Sequence, residues 1–231
     1  MRSFSGTYPY LTGCLIALGV FLTVLALSGR RRPILLSAIL AVPHALFALF
    51  LVPQYWRPKL IVSLPVGLED FLFMFICGGM AWVEASWLFR RRLALDLRPA
   101  GMASRLLGPV AFSIGAFGVF LGLGFRNMMV PLGIMASWIV LLLVLRRRLW
   151  PLIAAAAVQS FLIYSLTLIV MRAFSPGFFS AWTWSNLSGP SLWGVPLEEF
   201  AWGLAYGPFW GTTMAYVFDA KWIPLDMEKS R

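Results

Sequence analysis

Charged residues are scarce in this chain, at 12% of 231 residues, whereas 60% of the residues are hydrophobic. A soluble domain of this length could not bury so much apolar surface and would aggregate. The two cysteines, Cys14 and Cys77, both lie within apolar runs, so the sequence predicts no disulfide framework. The N-terminus has only Arg2 before its apolar run and no small-residue cleavage site, which predicts a retained first span. These absences favour an integral membrane protein built from helices.

The apolar residues fall into seven runs of about 18–24 residues, and each run is long enough to cross a bilayer as a helix. The runs lie near residues 8–28, 33–52, 66–89, 103–123, 128–145, 150–171 and 196–218. The net charge of +10 does not indicate nucleic-acid binding, because the arginines lie in short clusters directly after apolar runs. We therefore predict an all-α polytopic membrane protein of about seven transmembrane helices.

The lysines and arginines are distributed unevenly between alternate loops. With the N-terminus outside, 14 of the 19 cations lie in cytoplasmic segments, including the arginine triplets at 30–32, 90–92 and 146–148. Cytoplasmic loops of membrane proteins carry an excess of Lys and Arg. The sequence therefore predicts an integral protein of the cytoplasmic membrane with its N-terminus outside and its C-terminus in the cytoplasm.

Two short acidic motifs suggest an internal repeat. VGLEDFLF begins at Val66 and VPLEEFAW begins at Val195, 129 residues later, each at the start of an apolar run. We predict two parallel three-helix repeats, 1–92 and 128–231, joined by a connector helix and loops within 93–127. Because the connector restores the chain direction, both acid pairs are expected at the outer face. The small residues of the connector are expected to give close helix packing, namely Ala111, Gly115, Gly118 and Gly122.

Glu198 and Glu199 follow Pro196 at the start of the seventh run, and Glu69 and Asp70 hold the equivalent place in the first half. Acids in the first turn also occur in ordinary helices, where they complement the helix dipole. The recurrence of the pair, the aromatic residue after each pair and the absence of nearby cations favour a functional role. Neighbouring helical residues point about 100° apart, so we expect a reacting couple to take one acid from each half.

Aromatic residues follow both acid pairs at helical spacing and predict a substrate cavity between the third and seventh helices. The predicted substrate-binding residues are Phe71, Phe73, Phe200, Trp202, Tyr206, Phe209 and His44. A carboxyl in apolar surroundings keeps its proton, a second carboxylate can act as base, and aromatic faces stabilise cations. These properties suit proton-initiated carbocation chemistry on an apolar alkene.

Two further groups of residues are interpreted without a catalytic role. Glu84 lies roughly 21 Å beyond Asp70 along the helix axis, so an ion pair with the arginines at 90–92 is expected at the inner surface. Aromatic residues at the ends of the apolar runs fit a belt at the membrane interface. This belt comprises Tyr55, Trp56, Trp182, Trp184 and Trp193.

The acidic motif resembles the signature of the lycopene cyclase domain family, small integral-membrane carotenoid cyclases of the heterodimeric bacterial type and the fused archaeal and fungal types. The signature, Pro-x-Glu-Glu/Asp followed by Phe, is complete in PLEEF at 196–200, whereas Gly67 stands in place of proline before EDF at 69–71. The resemblance implies cyclisation of the acyclic ends of lycopene or a related carotenoid. It also implies that the motif acids are essential, namely Glu69, Asp70, Glu198 and Glu199. No cofactor or metal is expected, and the chain shows no dinucleotide-binding fingerprint.

Other functions remain open at this point. A cyclase of another polyprenoid lipid would use the same acids, whereas a non-catalytic carotenoid- or lipid-binding membrane protein would not need two acid pairs. A proton-coupled transporter would also use intramembrane acids, but here the two acid pairs are predicted near one face. The expected partners are an apolar polyene from the lipid phase and membrane lipids. A homo-oligomer or an association with other carotenoid enzymes is compatible with the sequence, and nucleic acid is not expected.

The predicted orientation can be tested with reporter fusions. Fusions after Arg32 and Arg148 should report a cytoplasmic location, because both triplets follow the positive-inside pattern. A fusion near Asn127 should report the exterior. A cytoplasmic signal at Asn127 would remove the connector role of the fourth helix and place the acid pairs on opposite faces.

Overall fold

The computed structural model describes residues 7–174 and 176–223, and the chain within them is mostly helical, as predicted. Seven helical segments follow the seven apolar runs. They are α1 (Pro9–Leu27), α2 (Arg31–Leu51), α3 (Leu68–Ser86), α4 (Pro99–Gly122), α5 (Met129–Leu145), α6 (Trp150–Phe174) and α7 (Leu197–Val217). Shorter 3₁₀ segments lie at Trp87–Arg92, Arg147–Leu149, Pro176–Ala181 and Trp184–Asn186.

Helix α2 changes its geometry in the middle. An α-helical part, Arg31–Ala41, is followed by a 3₁₀ part, Val42–Phe47, and a last α-helical turn, Ala48–Leu51. Pro43 lies at the start of the 3₁₀ part and has no N–H to donate to the preceding turn. The backbone N–H of Val42 instead donates to the carbonyl of Ile39 three residues back, which tightens the turn that carries His44.

Four two-residue strands form two small antiparallel pairs. Strand β1 (Leu93–Ala94) pairs with β4 (Lys221–Trp222), and β2 (Ser191–Leu192) pairs with β3 (Val195–Pro196). The β2–β3 hairpin turns through Trp193 and Gly194, whose φ angles are 53° and 73°. Two positive φ values are the requirement of a type I′ hairpin turn. The hairpin leads directly into α7 and so determines where the second acid pair begins.

Within the part of the chain that the structure describes, five helices are long and apolar enough to cross a membrane: α1, α2, α3, α4 and α6, the last as part of Arg147–Ala173. Helix α5 is apolar but has only 17 residues. Helix α7, with 21 residues, is long enough but is not apolar enough to be counted with these five helices. Most of its second half is buried by the other helices. A helix shielded from lipid can carry more polar residues than one that faces lipid. Membrane crossing by α5 and α7 stays a prediction.

Helix α7 packs against α3, α5 and α6, and α3 also packs against α1 and α2. Side-chain hydrogen bonds join these helices. Ser160 donates to the carbonyl of Gly203 at 2.6 Å, and the indole N–H of Trp138 donates to the Thr213 hydroxyl at 2.8 Å. Gly211 lies where α7 crosses α3, against the backbone of Ala81. Small and hydroxyl-bearing residues thus bring α7 close to its neighbours, as is common for membrane helices.

Two expectations about packing are not met. A Cβ added at Gly115, Gly118 or Gly122 would contact nothing within 4 Å, so these residues of α4 face outward from the described part of the chain. Glu84 is only 6% exposed, and one carboxylate oxygen lies against Gly207 of α7. Among residues 7–174 and 176–223 no ion pair involves Glu84, because its side chain points between α3 and α7 rather than toward the arginines at 90–92. The division into 1–92, 93–127 and 128–231 stays a prediction.

The close contact between α3 and α7 can be tested at Gly211. A Cβ at this position would lie 2.5 Å from the Ala81 carbonyl oxygen and 2.6 Å from the Ala85 Cβ. We expect Gly211→Ala to lower the free energy of unfolding in detergent by about 1–3 kcal/mol, because overpacking forces the helices apart. Gly115→Ala is the matched control: it should leave the thermal unfolding temperature unchanged or raise it, since alanine stabilises an exposed helix. Equal effects of both substitutions would contradict the close packing.

Candidate active site

An apolar cavity of about 190 Å³ lies within the bundle and is lined by residues from all seven helices and from the loops after α2 and α6. Its lining is mainly aromatic and aliphatic. The acidic residues that line it are Asp70, at the start of α3, and Glu199, at the start of α7. The structure thus brings one acid of each motif to the same cavity, as the 100° offset of adjacent helical residues predicted.

Glu199 is 6% exposed and accepts three side-chain hydrogen bonds. Its Oε1 accepts from the Tyr55 hydroxyl at 2.8 Å and from the Trp182 indole N–H at 3.0 Å. Its Oε2 accepts from the Tyr164 hydroxyl at 2.6 Å. Burial raises the pKa of Tyr55, in the loop after α2, and the nearby Glu199 charge raises it further, so Tyr55 stays a hydroxyl donor. The three donors fix the carboxyl of Glu199 at the cavity wall.

Asp70 is 5% exposed and is held by two hydrogen bonds. Its Oδ2 accepts from the backbone N–H of Gly67 at 2.8 Å, within the cap of α3, and its Oδ1 accepts from the Tyr10 hydroxyl at 3.0 Å. In Asp70 and in Glu199 alike, one oxygen is fixed by an N–H donor and the other lies beside a tyrosine hydroxyl. A tyrosine hydroxyl can donate or accept, so the second oxygen of each acid can be protonated without losing its partner.

The first acid of each motif has a different environment. Glu69 Oε1 accepts from the backbone N–H of Ile61 at 2.8 Å, and Glu198 Oε1 accepts from the backbone N–H of Ser188 at 2.6 Å. Neither acid lines the cavity. Each one ties the loop that precedes its helix to the first turn of that helix. Within the described ranges, Glu198 Oε2 is buried and has no hydrogen-bond partner.

Aromatic rings form a continuous stack along the cavity wall. The ring of Phe73 stacks on Trp202 at a centroid distance of 5.7 Å, and Trp202 stacks on Tyr206 at 4.6 Å. Five of the seven predicted substrate-binding residues line the cavity, namely His44, Phe73, Trp202, Tyr206 and Phe209. Phe71 and Phe200 do not line it. Phe71 packs against the larger hydrophobic cluster, which includes Met74 and Trp82, and Phe200 packs against the smaller cluster, which includes Tyr55 and Trp182. Each of the two follows a cavity-lining acid by one residue and so points away from the cavity.

Four residues of the site were not predicted as such: Tyr10, Tyr55, Tyr164 and Trp182. Tyr55 and Trp182 were assigned to an interfacial belt, but they are only 3% and 5% exposed and both donate to Glu199. Their loops meet at a β-bridge between Trp56 and Trp182. Trp184 and Trp193 are 43% and 67% exposed, as residues of an interfacial belt would be. Tyr164 could have been suspected, because Gln159, Ser160 and Tyr164 bring polar groups into a mostly apolar helix.

Within 7–174 and 176–223, no three His, Cys, Asp or Glu side chains are grouped so that they could hold a metal ion. The polar groups that reach the cavity are carboxyl, hydroxyl, indole and imidazole groups. These groups can hold and move a proton.

Comparison with known proteins identifies a related family. A family model described as lycopene cyclase matches residues 126–217, which include α5, α6 and α7. The matched segment contains Tyr164, Trp182, Glu198 and Glu199, whereas Glu69 and Asp70 lie outside it. No curated protein and no solved structure matches the chain. The resemblance seen in the PLEEF motif is confirmed by this match.

Proposed function

We propose that this membrane protein cyclises the acyclic end groups of lycopene or a related carotenoid, because a lycopene cyclase family model matches residues 126–217. The reaction is started by a proton from a carboxyl group and uses no cofactor. One observation carries the proposal: Asp70 and Glu199, one from each motif, reach the same aromatic cavity. A carboxyl couple in an apolar cavity is what protonation of an alkene requires.

The size of the cavity indicates how much substrate it holds. Its volume is about 190 Å³. An apolar cavity of about 150 Å³ is enough for benzene, whereas sites for drug-sized ligands range from about 300 to 1,000 Å³. The cavity therefore fits one ring-sized end group. The rest of the polyene lies outside it, among the surrounding lipids.

The proposed reaction moves one proton onto the substrate and one proton off it. The protonated carboxyl donates its proton to the terminal alkene, which leaves a cation on the neighbouring carbon. The electron pair of the second alkene then forms the ring carbon–carbon bond, and the positive charge moves to a ring carbon. The ionised carboxyl removes a proton from a carbon beside this cation, and the new double bond forms. The product is an isomer of the substrate.

The aromatic stack and the tyrosines each have a role in this sequence. The ring faces of Phe73, Trp202 and Tyr206 line the cavity and attract the positive charge of the intermediate. Tyr10 and Tyr164 lie beside the carboxyl oxygens that can exchange a proton. Because these hydroxyls can reverse their hydrogen bonds, they keep each acid paired in both protonation states.

We assign the proton transfers to Asp70 and Glu199 and a positioning role to Glu69 and Glu198. This division follows from the cavity, which the second acid of each motif lines, and from the loop contacts of the first acid. The parallel roles of the two motifs support the repeat of three helices. The shared cavity also supports the placement of both motifs at the same face, and the distribution of Lys and Arg supports the outer face, with the N-terminus outside the cell.

A cyclase of another polyprenoid lipid is the second candidate. The cavity encloses only one end group of the substrate and leaves the rest of the chain outside. A different polyprenoid with the same end group would therefore fit. A non-catalytic binding protein is less well supported, because apolar binding alone gives no reason to bury two carboxyls.

The assignment of the acids can be tested in a host that accumulates lycopene. We expect Asp70→Asn and Glu199→Gln each to lower the rate of cyclisation by about 10²–10⁴-fold, because general acid–base groups contribute this much. Pigment analysis against the amount of inserted protein gives the rate. Both substitutions keep the shape of the side chain, so insertion should be retained.

The matched substitutions are Glu69→Gln and Glu198→Gln. Each keeps an oxygen that can accept the loop N–H, so we expect a smaller loss of rate than at Asp70 or Glu199. If Glu199→Gln and Asp70→Asn both retain normal rates, the acids serve only to begin their helices. If all four substitutions are equally severe, the first acid of each motif also transfers protons.

The two ends of the substrate should react in separate visits. A fully extended C40 polyene is about as long as the hydrocarbon core is thick, roughly 30 Å. Both cavity acids lie at one cavity that fits a single end group, so a product with two rings requires release and rebinding. In a time course, the singly cyclised compound should rise and then fall. If the doubly cyclised product appears without it, or if Asp70→Asn still forms one ring at the full rate, the shared cavity is wrong.

A further inference from the structure

The cavity has a second polar end that the proposed proton transfers do not use. His44, on the 3₁₀ turn of α2, and Tyr206, on α7, both line the cavity. The His44 Nδ1 and the Tyr206 hydroxyl oxygen are buried and have no hydrogen-bond partner within the described residues. Buried polar atoms are paired in the great majority of cases, so two unpaired atoms in one cavity call for a partner inside it.

Aromatic neighbours hold both side chains in place. The imidazole of His44 lies 4.6 Å from the Trp210 ring, at an interplanar angle of 80°, and 6.0 Å from the Phe209 ring. The Tyr206 ring stacks on Trp202 at an interplanar angle of 13°. These contacts offer no acceptor or donor to the two polar atoms. Their positions are therefore fixed by packing, and their lone pairs remain available to a molecule in the cavity.

Glu199 and Tyr206 lie at different positions along α7. Tyr206 follows Glu199 by seven residues, which places it about 10.5 Å further along the axis of α7. A six-membered carbon ring is about 3 Å across at 1.5 Å per bond, and each side needs about 3.5 Å of contact distance. One ring with its contacts therefore needs about the same length as this rise between the two backbone positions. His44 lies beside Tyr206, with a ring centroid distance of 6.2 Å, so both side chains line the part of the cavity further along α7 than Glu199.

We propose that His44 and Tyr206 stabilise the carbocation formed by ring closure and thereby determine which carbon loses its proton. This inference rests on the proposed cyclisation. The lone pair of His44 Nδ1, in the tautomer with the proton on Nε2, and a lone pair of the Tyr206 oxygen attract the cationic ring carbon. Neither group gains or loses a proton, since the donor and the base remain the carboxyls. The position of the new double bond, and hence the ring type, follows from where the cation is held.

The test measures which ring isomers are formed. Tyr206→Phe removes one oxygen and keeps the stacked ring, and His44→Phe removes the nitrogen lone pair. We expect each variant to change the ratio of ring isomers by roughly tenfold, as loss of one interaction with a charged group would. A purely structural role would lower the yield of all rings together and leave their ratio unchanged.

Tyr216→Phe is the matched control, because Tyr216 lies on α7 outside the cavity lining. It should change neither the yield nor the ratio. If the wild-type protein is active and both Tyr206→Phe and His44→Phe give the same isomers in the same ratio, this inference is overturned and the proposed cyclisation stands. A wild-type protein that forms no ring in the lycopene host overturns both. His44→Phe is the larger change, so retention of the Tyr206→Phe protein in the membrane keeps the test decisive.

Discussion

The structure depends on the need to pair every carboxyl oxygen of Glu199 where water is excluded. An unpaired charge or acceptor in such surroundings is costly, so each oxygen must find a donor in the protein. Tyr55 comes from the loop after α2, Trp182 from the loop after α6, and Tyr164 from α6 itself. One carboxyl therefore requires two loops and a helix to converge. The Trp56–Trp182 bridge joins the same two loops beside the cavity.

The same requirement explains why α7 lies at the centre of the bundle. The hydroxyls of its two threonines are paired within the protein: Thr213 donates to the carbonyl of Phe209 at 2.5 Å, and Thr212 donates to the carbonyl of Pro208. Ser160 and Trp138 add hydrogen bonds from the neighbouring helices. A helix with this many polar groups is stable in a bilayer only when other helices cover it. The surrounding apolar helices supply that cover and leave a cavity beside the acids.

The sequence was sufficient for the features that depend on local pattern. Apolar runs predicted the seven helices, and the angle between adjacent helical residues predicted that Asp70 and Glu199, rather than two neighbours, would share a cavity. The partners of the acids could not be predicted, since Tyr55 lies 144 residues from Glu199. An aromatic residue at the end of an apolar run has the same appearance whether it faces lipid headgroups or a buried carboxyl. For the same reason the direction of Glu84, inward to Gly207 rather than outward to arginine, was not visible in the sequence.

The difference between Gly67 and Pro196 accounts for part of the different bonding of the two cavity acids. Gly67 and Pro196 hold equivalent positions, three residues before Asp70 and Glu199. Gly67 has a backbone N–H, which donates a hydrogen bond to Asp70 Oδ2 at 2.8 Å. Pro196 has no N–H, so Glu199 cannot accept the equivalent hydrogen bond from its own helix start. Its carboxyl, longer by one methylene, instead reaches side-chain donors from the surrounding structure. Because proline removes this backbone donor in the second motif, the carboxyl of Glu199 is available to the tyrosine and tryptophan donors at the cavity wall.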